Sequence, residues 1–161
     1  MRIITDRPYM PGYGISSSPA GLLEWSWADE RLRGSHNYWV ATASPSGQPH
    51  LAAVWGVWDG SAFWFSTGGR SRKARHLDAN PLVAVAAEEA AESVVVHGRT
   101  VRVTDPAQLD AIRSTYVAKY GDAFPDPNDN PVYRVDADVV IGVIENEADF
   151  TTRATRWRFV R

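Results

Sequence analysis

Bulky and small residues alternate from Tyr38 to Ala43, the period-two signature of a half-buried strand. Pro45-Ser46-Gly47-Gln48 then reads as a turn. His50 to Trp58 is an apolar strand that ends at Asp59-Gly60, the strongest hairpin signal in the chain. The return strand, Ala62 to Ser66, puts Phe63 and Phe65 on one face and Trp64 on the other. Leu82 to Ala87 predicts a buried strand. Ser93 to Val103 predicts a long one, with Gly98 marking a bulge or bend. Val132 to Ile144 is long enough for two strands. Thr155 to Val160 alternates Trp157 and Phe159 against Arg156 and Arg158, as a charged final edge strand does.

Helical signals are fewer. Ser18-Pro19 suits a helix start, with Leu22, Leu23, Trp27 and Leu32 toward the core, a restart at Ser26 and an end at Gly34. Ser71 caps a short helix over Arg72 to Ala79, stopped by Asn80-Pro81. Asp105 and Gln108 form a capping box for a helix that Gly121 ends. Residues 1–18 form an aperiodic arm, 88–92 an acidic link and 121–131 a Pro-rich loop. Six or seven antiparallel strands with short flanking helices make a mainly β (α+β) domain, a small barrel or sandwich over residues 19–161 behind the arm.

Composition narrows the function classes. The 161 residues suit one domain, and 44% hydrophobic with 22% charged residues is ordinary globular usage. A net charge of -2 provides no global field for nucleic acid or anionic lipid. The absence of cysteine excludes disulfides, thiolate nucleophiles and iron–sulfur clusters. No apolar run reaches a membrane span and the N-terminus has no apolar signal core, so the expected location is cytoplasmic. Seven Trp and six Tyr either fill a core or line a planar ligand.

Candidate chemistry is sparse. His36, His50, His76 and His97 show no metal-ligand spacing, and Asp126 to Asn130 lacks the glycine and glutamate of a calcium loop, so no metal is expected. Gly12-Tyr13-Gly14 follows no strand and is no dinucleotide fingerprint; nucleophile-elbow and Walker motifs are absent. Arg70-Ser71-Arg72-Lys73-Ala74-Arg75 is the exception. Four cations meet a Gly-containing loop at a helix start, where free N–H groups and the helix dipole favour a phosphate. The competing reading is a solvated basic face with Ser71 as a plain cap. In the strand Leu51 to Trp58, small residues would let a flat ring approach the backbone between Trp55 and Trp58, or the tryptophans simply fill a core.

Tyr38-Trp39-Val40-Ala41-Thr42, Gly47-Gln48-Pro49-His50, Val54 to Gly60, Phe63 to Thr67 and Ser71 to Pro81 together resemble the pyridoxamine 5′-phosphate oxidase-like family of split β-barrels. Its superfamily includes reductases that use the deazaflavin F420. The similarity is close over residues 36–104 and looser to Phe159. The resemblance implies one flavin-type cofactor per subunit, F420 slightly favoured over FMN, and a homodimer with cofactors at its interface. Arg72 and Lys73 then match the phosphate grip, with Ser71 at the helix start. Ser66 and Thr67 match a strand end beside the phosphate or ribityl chain. Ala53, Val54, Trp55 and Gly56 match the strand along the ring, and Trp157 an aromatic that reaches the partner subunit's cofactor. The implied activity is hydride transfer to or from a small organic substrate. The cofactor carries that chemistry, so no catalytic side chain is assigned. A non-enzymatic flavin or haem carrier or sensor of the same fold is the alternative. The chain departs from the family pattern at Ala53, where a Pro is common before Val-Trp, and its terminus lacks the Arg-Leu-Ala-Pro and nearby His of true pyridoxamine phosphate oxidases. The terminal departure argues against vitamin B6 synthesis.

Overall fold

A computed structural model describes residues 2–121 and 124–161; Met1 of the arm and residues 122–123 of the 121–131 loop lie outside the described residues. The order is β1 (Arg2–Asp6), α1 (Trp25–Gly34), β2 (Tyr38–Ala43), β3 (Pro49–Val54), β4 (Gly56–Trp58), β5 (Ala62–Ser66), α2 (Arg72–Ala79), β6 (Leu82–Ala87), β7 (Glu92–Val103), α3 (Pro106–Tyr120), β8 (Val132–Ile144), α4 (Glu147–Arg153) and β9 (Thr155–Val160). All strand pairs are antiparallel. They form one open sheet in the order β1-β9-β8-β7-β6-β2-β3, from which β5 branches at β8 and carries β4. The fold is the expected mainly β, α+β split barrel. Among the described residues it has nine strands rather than six or seven.

The additional strands have local causes. The apolar run at 50–58 divides because the chain pairs with β2 up to Val54 and with β5 from Gly56. At the switch, α3 takes over the backbone bonding. Gly56 N–H donates to the Tyr120 hydroxyl at 3.1 Å, and Lys119 Nζ donates to the Gly56 carbonyl at 3.0 Å. The arm supplies β1, so β9 is not an edge. Asp6 of β1 accepts from Arg156 at 2.7 Å and from Arg158 at 2.8 Å. The Arg156 hydrogen bond holds the Asp6 carboxyl below its usual range against the cost of burial.

Val132 to Ile144 is one strand, not two. Its first half pairs with β5 and its second with β9, while β7 runs alongside its whole length. The first helix starts at Trp25, not after Ser18. Gly21 adopts φ +82°, and a Cβ there would stand 2.9 Å from the Thr152 carbonyl oxygen; residues 15–24 cross α4 as an irregular strap of bends and a turn. Arg7 donates to the carbonyls of Ser18 at 2.8 Å and Ala154 at 2.9 Å, pinning the strap. The seven-residue α4 carries no apolar stripe that sequence periodicity could detect; Asn146 caps it by accepting from Asp149 N–H.

The sheet separates two apolar layers. Phe63 and Phe65 pack with Tyr38, Val40, Val85, Val96 and Val140 in the larger core. Trp64 packs with Ile112 and Tyr116 beneath α3 in the smaller one. The alternation predicted for β5 is therefore the alternation found. At the β4–β5 turn Gly60 has φ +102°, and the Asp59 carboxylate accepts from Ser61 N–H, Ala62 N–H and Trp64 Nε1. Burial pushes the Asp59 carboxyl up, but these hydrogen bonds outweigh it and hold the group below its usual range.

Lys119 also donates to the Tyr38 hydroxyl at 2.8 Å, and among the described residues it has no carboxylate partner. Burial lowers its ammonium to about 8 from 10.5. The folded state thus releases a proton that the unfolded chain still holds, so stability rises with pH between those values. Above the free tyrosine value of 10.0 the sense reverses, because burial raises Tyr38, Tyr116 and Tyr120 in the fold. Urea midpoints are expected to increase from about pH 8 to about pH 10. Lys119→Met should remove most of that increase. Lys73, also lowered by burial, supplies the remainder.

Candidate functional site

The end of β5, the following loop and the first turn of α2 form one hydrogen-bonded unit. Ser71 caps α2 by accepting from Ala74 N–H at 3.1 Å, and its hydroxyl lies 3.1 Å from Thr67 Oγ1. Ser71 N–H closes the turn on the Gly68 carbonyl at 2.9 Å. The segment before β8 braces this loop from outside. Gly69 N–H donates to the Asp129 carbonyl at 2.9 Å, Thr67 N–H to Pro131 at 3.3 Å, and Ser66 Oγ to Asn130 at 2.9 Å. Between the two segments runs an open groove of about 750 Å³, lined by Gly68 to Ser71 and Asn128 to Asn130.

The helix itself is amphipathic. Ala74, His76 and Leu77 are buried, whereas Arg72 and Arg75 are exposed and Lys73 is half-buried. Among the described residues none of Arg70, Arg72, Lys73 and Arg75 pairs with a carboxylate. Desolvation lowers the Lys73 ammonium. The turn therefore concentrates uncompensated positive charge beside free helix-start N–H groups, the arrangement that suits a phosphate.

Strand β3 abuts this helix. The His50 ring meets the His76 ring edge to face at 6.0 Å, and His76 Nδ1 lies 3.0 Å from Thr42 Oγ1 on β2. From His50 the strand runs three residues, about 10 Å, to Ala53. Ala53 is exposed on the outer face; Val54 and Gly56 are buried. Trp55 is 43% exposed, with one ring face stacked on Tyr120 at 4.7 Å and 3° and its edge near His36. A planar group along β3 thus meets Ala53 and Trp55, while Val54 and Gly56 offer it backbone only.

Ser66, Thr67, Ser71, Arg72 and Lys73 come together at one end of this surface, and Ala53 to Gly56 lie along it. Trp157 does not join them. It is fully buried within its own chain, edge-on to Trp25 at 5.6 Å and packed over Gly142. An aromatic that reaches a partner's cofactor needs exposed ring surface, so Trp157 is a core residue. Sequence reasoning missed the pairing of His50 with His76 and the bracing by Asn128 to Asn130. Neither pair of partners is close in sequence, and no spacing signals them.

The chain combines an open antiparallel split barrel with a cationic, Ser-capped helix turn beside a small-residue strand. The chain belongs to the pyridoxamine 5′-phosphate oxidase family, whose model matches residues 28–147. No curated protein matches it. Among solved structures it is similar to a conserved hypothetical protein from Mycobacterium tuberculosis (TM-score 0.68, 23% identity, 83% of this chain and 92% of the other). It is also similar to an F420 reductase (TM-score 0.55, 23% identity, 76% and 98%). A haem-binding protein from Mycobacterium smegmatis shares the fold too (TM-score 0.64, 19% identity, 83% and 63%). At these identities the likeness is one of fold. Among the described residues no helix is long and apolar enough to cross a membrane.

Proposed function

We propose that this chain is an oxidoreductase that binds a flavin-type cofactor, F420 in preference to FMN, and serves a small organic substrate. The observation that carries this reading is the Arg72–Lys73 cation pair at the capped start of α2, without a carboxylate partner among the described residues and opening onto β3. Arg72, Lys73 and the α2 N–H groups would hold the phosphate, and Ser66 and Thr67 would border the chain that joins it to the ring. Ala53 and Trp55 would flank the ring, whose hydride chemistry the cofactor supplies. The remaining duties of the protein are orientation and water exclusion, which require no acid–base pair. Titrating purified apo-protein in parallel with FMN and with F420, followed by fluorescence, tests the reading. Tight F420 binding supports it in full, and tight FMN binding alone supports a flavin oxidase or reductase. If neither binds at micromolar concentration, the reading fails; a haem titration then tests the carrier alternative.

We further propose a homodimer. On the outer face of β2, β3 and β6, Trp39, Leu51 and Leu82 are 46%, 60% and 49% exposed. Register places Trp39 beside Ala53 and Ala41 beside Leu51 and Ala84, so these apolar side chains form one patch. A second copy would cover it and close the cofactor site. Sedimentation should give twice the 17.8 kDa chain mass. Trp39→Glu should shift the protein toward monomer. A wild-type monomer at micromolar concentration would refute the dimer.

A further inference from the structure

The cationic turn has a neighbour that hydrogen bonding leaves free. Arg72, Lys73 and His76 fall at i, i+1 and i+4 on α2, so Arg72 and His76 stack on one face with Lys73 at its side. His50 on β3 faces that side of the helix, its ring edge against His76. His76 is anchored through Nδ1 to Thr42, the cross-strand partner of His50. His50 is only half-buried, and among the described residues neither of its ring nitrogens has a hydrogen-bond partner. The charged groups acting on it are Arg72, Lys73 and His76 from α2, and its cross-strand partner on β2 is the neutral Thr42. None is a carboxylate.

We propose, on the reading that α2 holds the cofactor phosphate, that His50 is a further contact to that phosphate and takes up a proton as the anion arrives. In the free protein, desolvation and the charges of Arg72, Lys73 and His76 all disfavour the imidazolium. A phosphate on the same turn reverses the sign of the local field. It offsets the two fixed cations and offers the ring an acceptor, so the charged form becomes the stable one. The proton comes from solvent and goes to the free ring nitrogen; no bond of the cofactor changes. Binding would therefore be tighter on the acid side of neutrality. Cofactor binding and release would be linked to pH through a residue that contributes nothing to the hydride step.

Titration calorimetry of FMN and of F420 into the intact protein, in two buffers of different ionisation enthalpy at pH 7.5, measures the proton count directly. Wild-type protein should take up at least about half a proton more than His50→Gln. Its affinity should fall up to about tenfold from pH 6 to pH 8, against a much smaller change in the variant. A phosphate monoester titrating near pH 6 gives up protons on binding, but equally in both proteins. The C2–H resonance of His50, identified by its loss in the variant, should titrate at higher pH with cofactor bound. His50→Asn and thermal melts separate lost linkage from lost folding. Cofactor binding with the same proton uptake in wild type and variant overturns the role of His50 and leaves the phosphate reading standing. Failure of both cofactors to bind overturns both.

Discussion

Arg72→Ala combined with Lys73→Ala weakens binding of the cofactor at least tenfold, with the fold intact. Each side chain would supply a charge-assisted hydrogen bond to the phosphate, worth about 1.5–3 kcal/mol. Tenfold corresponds to about 1.4 kcal/mol, so the expectation leaves room for the remaining N–H groups to compensate. Fold retention follows from the environment of the pair. Arg72 is exposed, Lys73 is half-buried, and neither forms an ion pair or a side-chain hydrogen bond among the described residues. The cap through Ser71 and the apolar anchors Ala74 and Leu77 remain. Removing a desolvated ammonium should leave melting unchanged or raise it slightly. Fluorescence titration of wild type and double variant gives the ratio, and equal affinities would remove α2 from the site.

Gly98→Ala destabilises the protein by about 3 kcal/mol, the upper end for overpacking a well-filled site. Gly98 follows the register shift of the β7–β8 pair and is buried. An added Cβ would overlap the Asp136 carbonyl oxygen and stand 3.0 Å from its carbon and 3.2 Å from Val135 Cγ1. Two of these atoms are backbone of the strand that β5, β7 and β9 all use, so relief requires moving the centre of the sheet. At about 2–4 °C per kcal/mol for a domain of this size, melting should fall by about 6–12 °C. A melting temperature within 2 °C of wild type would mean that the bulge yields cheaply (about 1 kcal/mol or less).

Legibility in the sequence followed the range of the interactions. The cap at Ser71 involves atoms three residues apart, and the sequence shows it together with the helix it starts. The Asp105 cap before α3 is equally local, although Gln108 donates to the Asp105 carboxylate instead of closing the expected box on its N–H, and so is the Asp59-Gly60 turn. Period-two patterning placed Phe63 and Phe65 on one face and Trp64 on the other, and each face of β5 is buried, in a core of its own. At the candidate site, Ser66 to Lys73 is a contiguous segment, so its cluster of cations was visible without any fold.

Sequence alone therefore determined the class of the fold, the position of most strands and the cationic helix start, since each depends on neighbours within a few residues. Tertiary structure alone decided the rest. It divided one apolar run at Trp55, because Lys119 and Tyr120 of a distant helix claim the Gly56 peptide. It recruited Arg2–Asp6 to cover β9, because Asp6 meets Arg156 across 150 positions. It moved Trp157 from the candidate interface into the core, and it set His50 against His76 beside the cationic turn. Alternation along β9 specifies that Trp157 and Phe159 share a face, but whether that face meets a core or a partner depends on which strands pack over it.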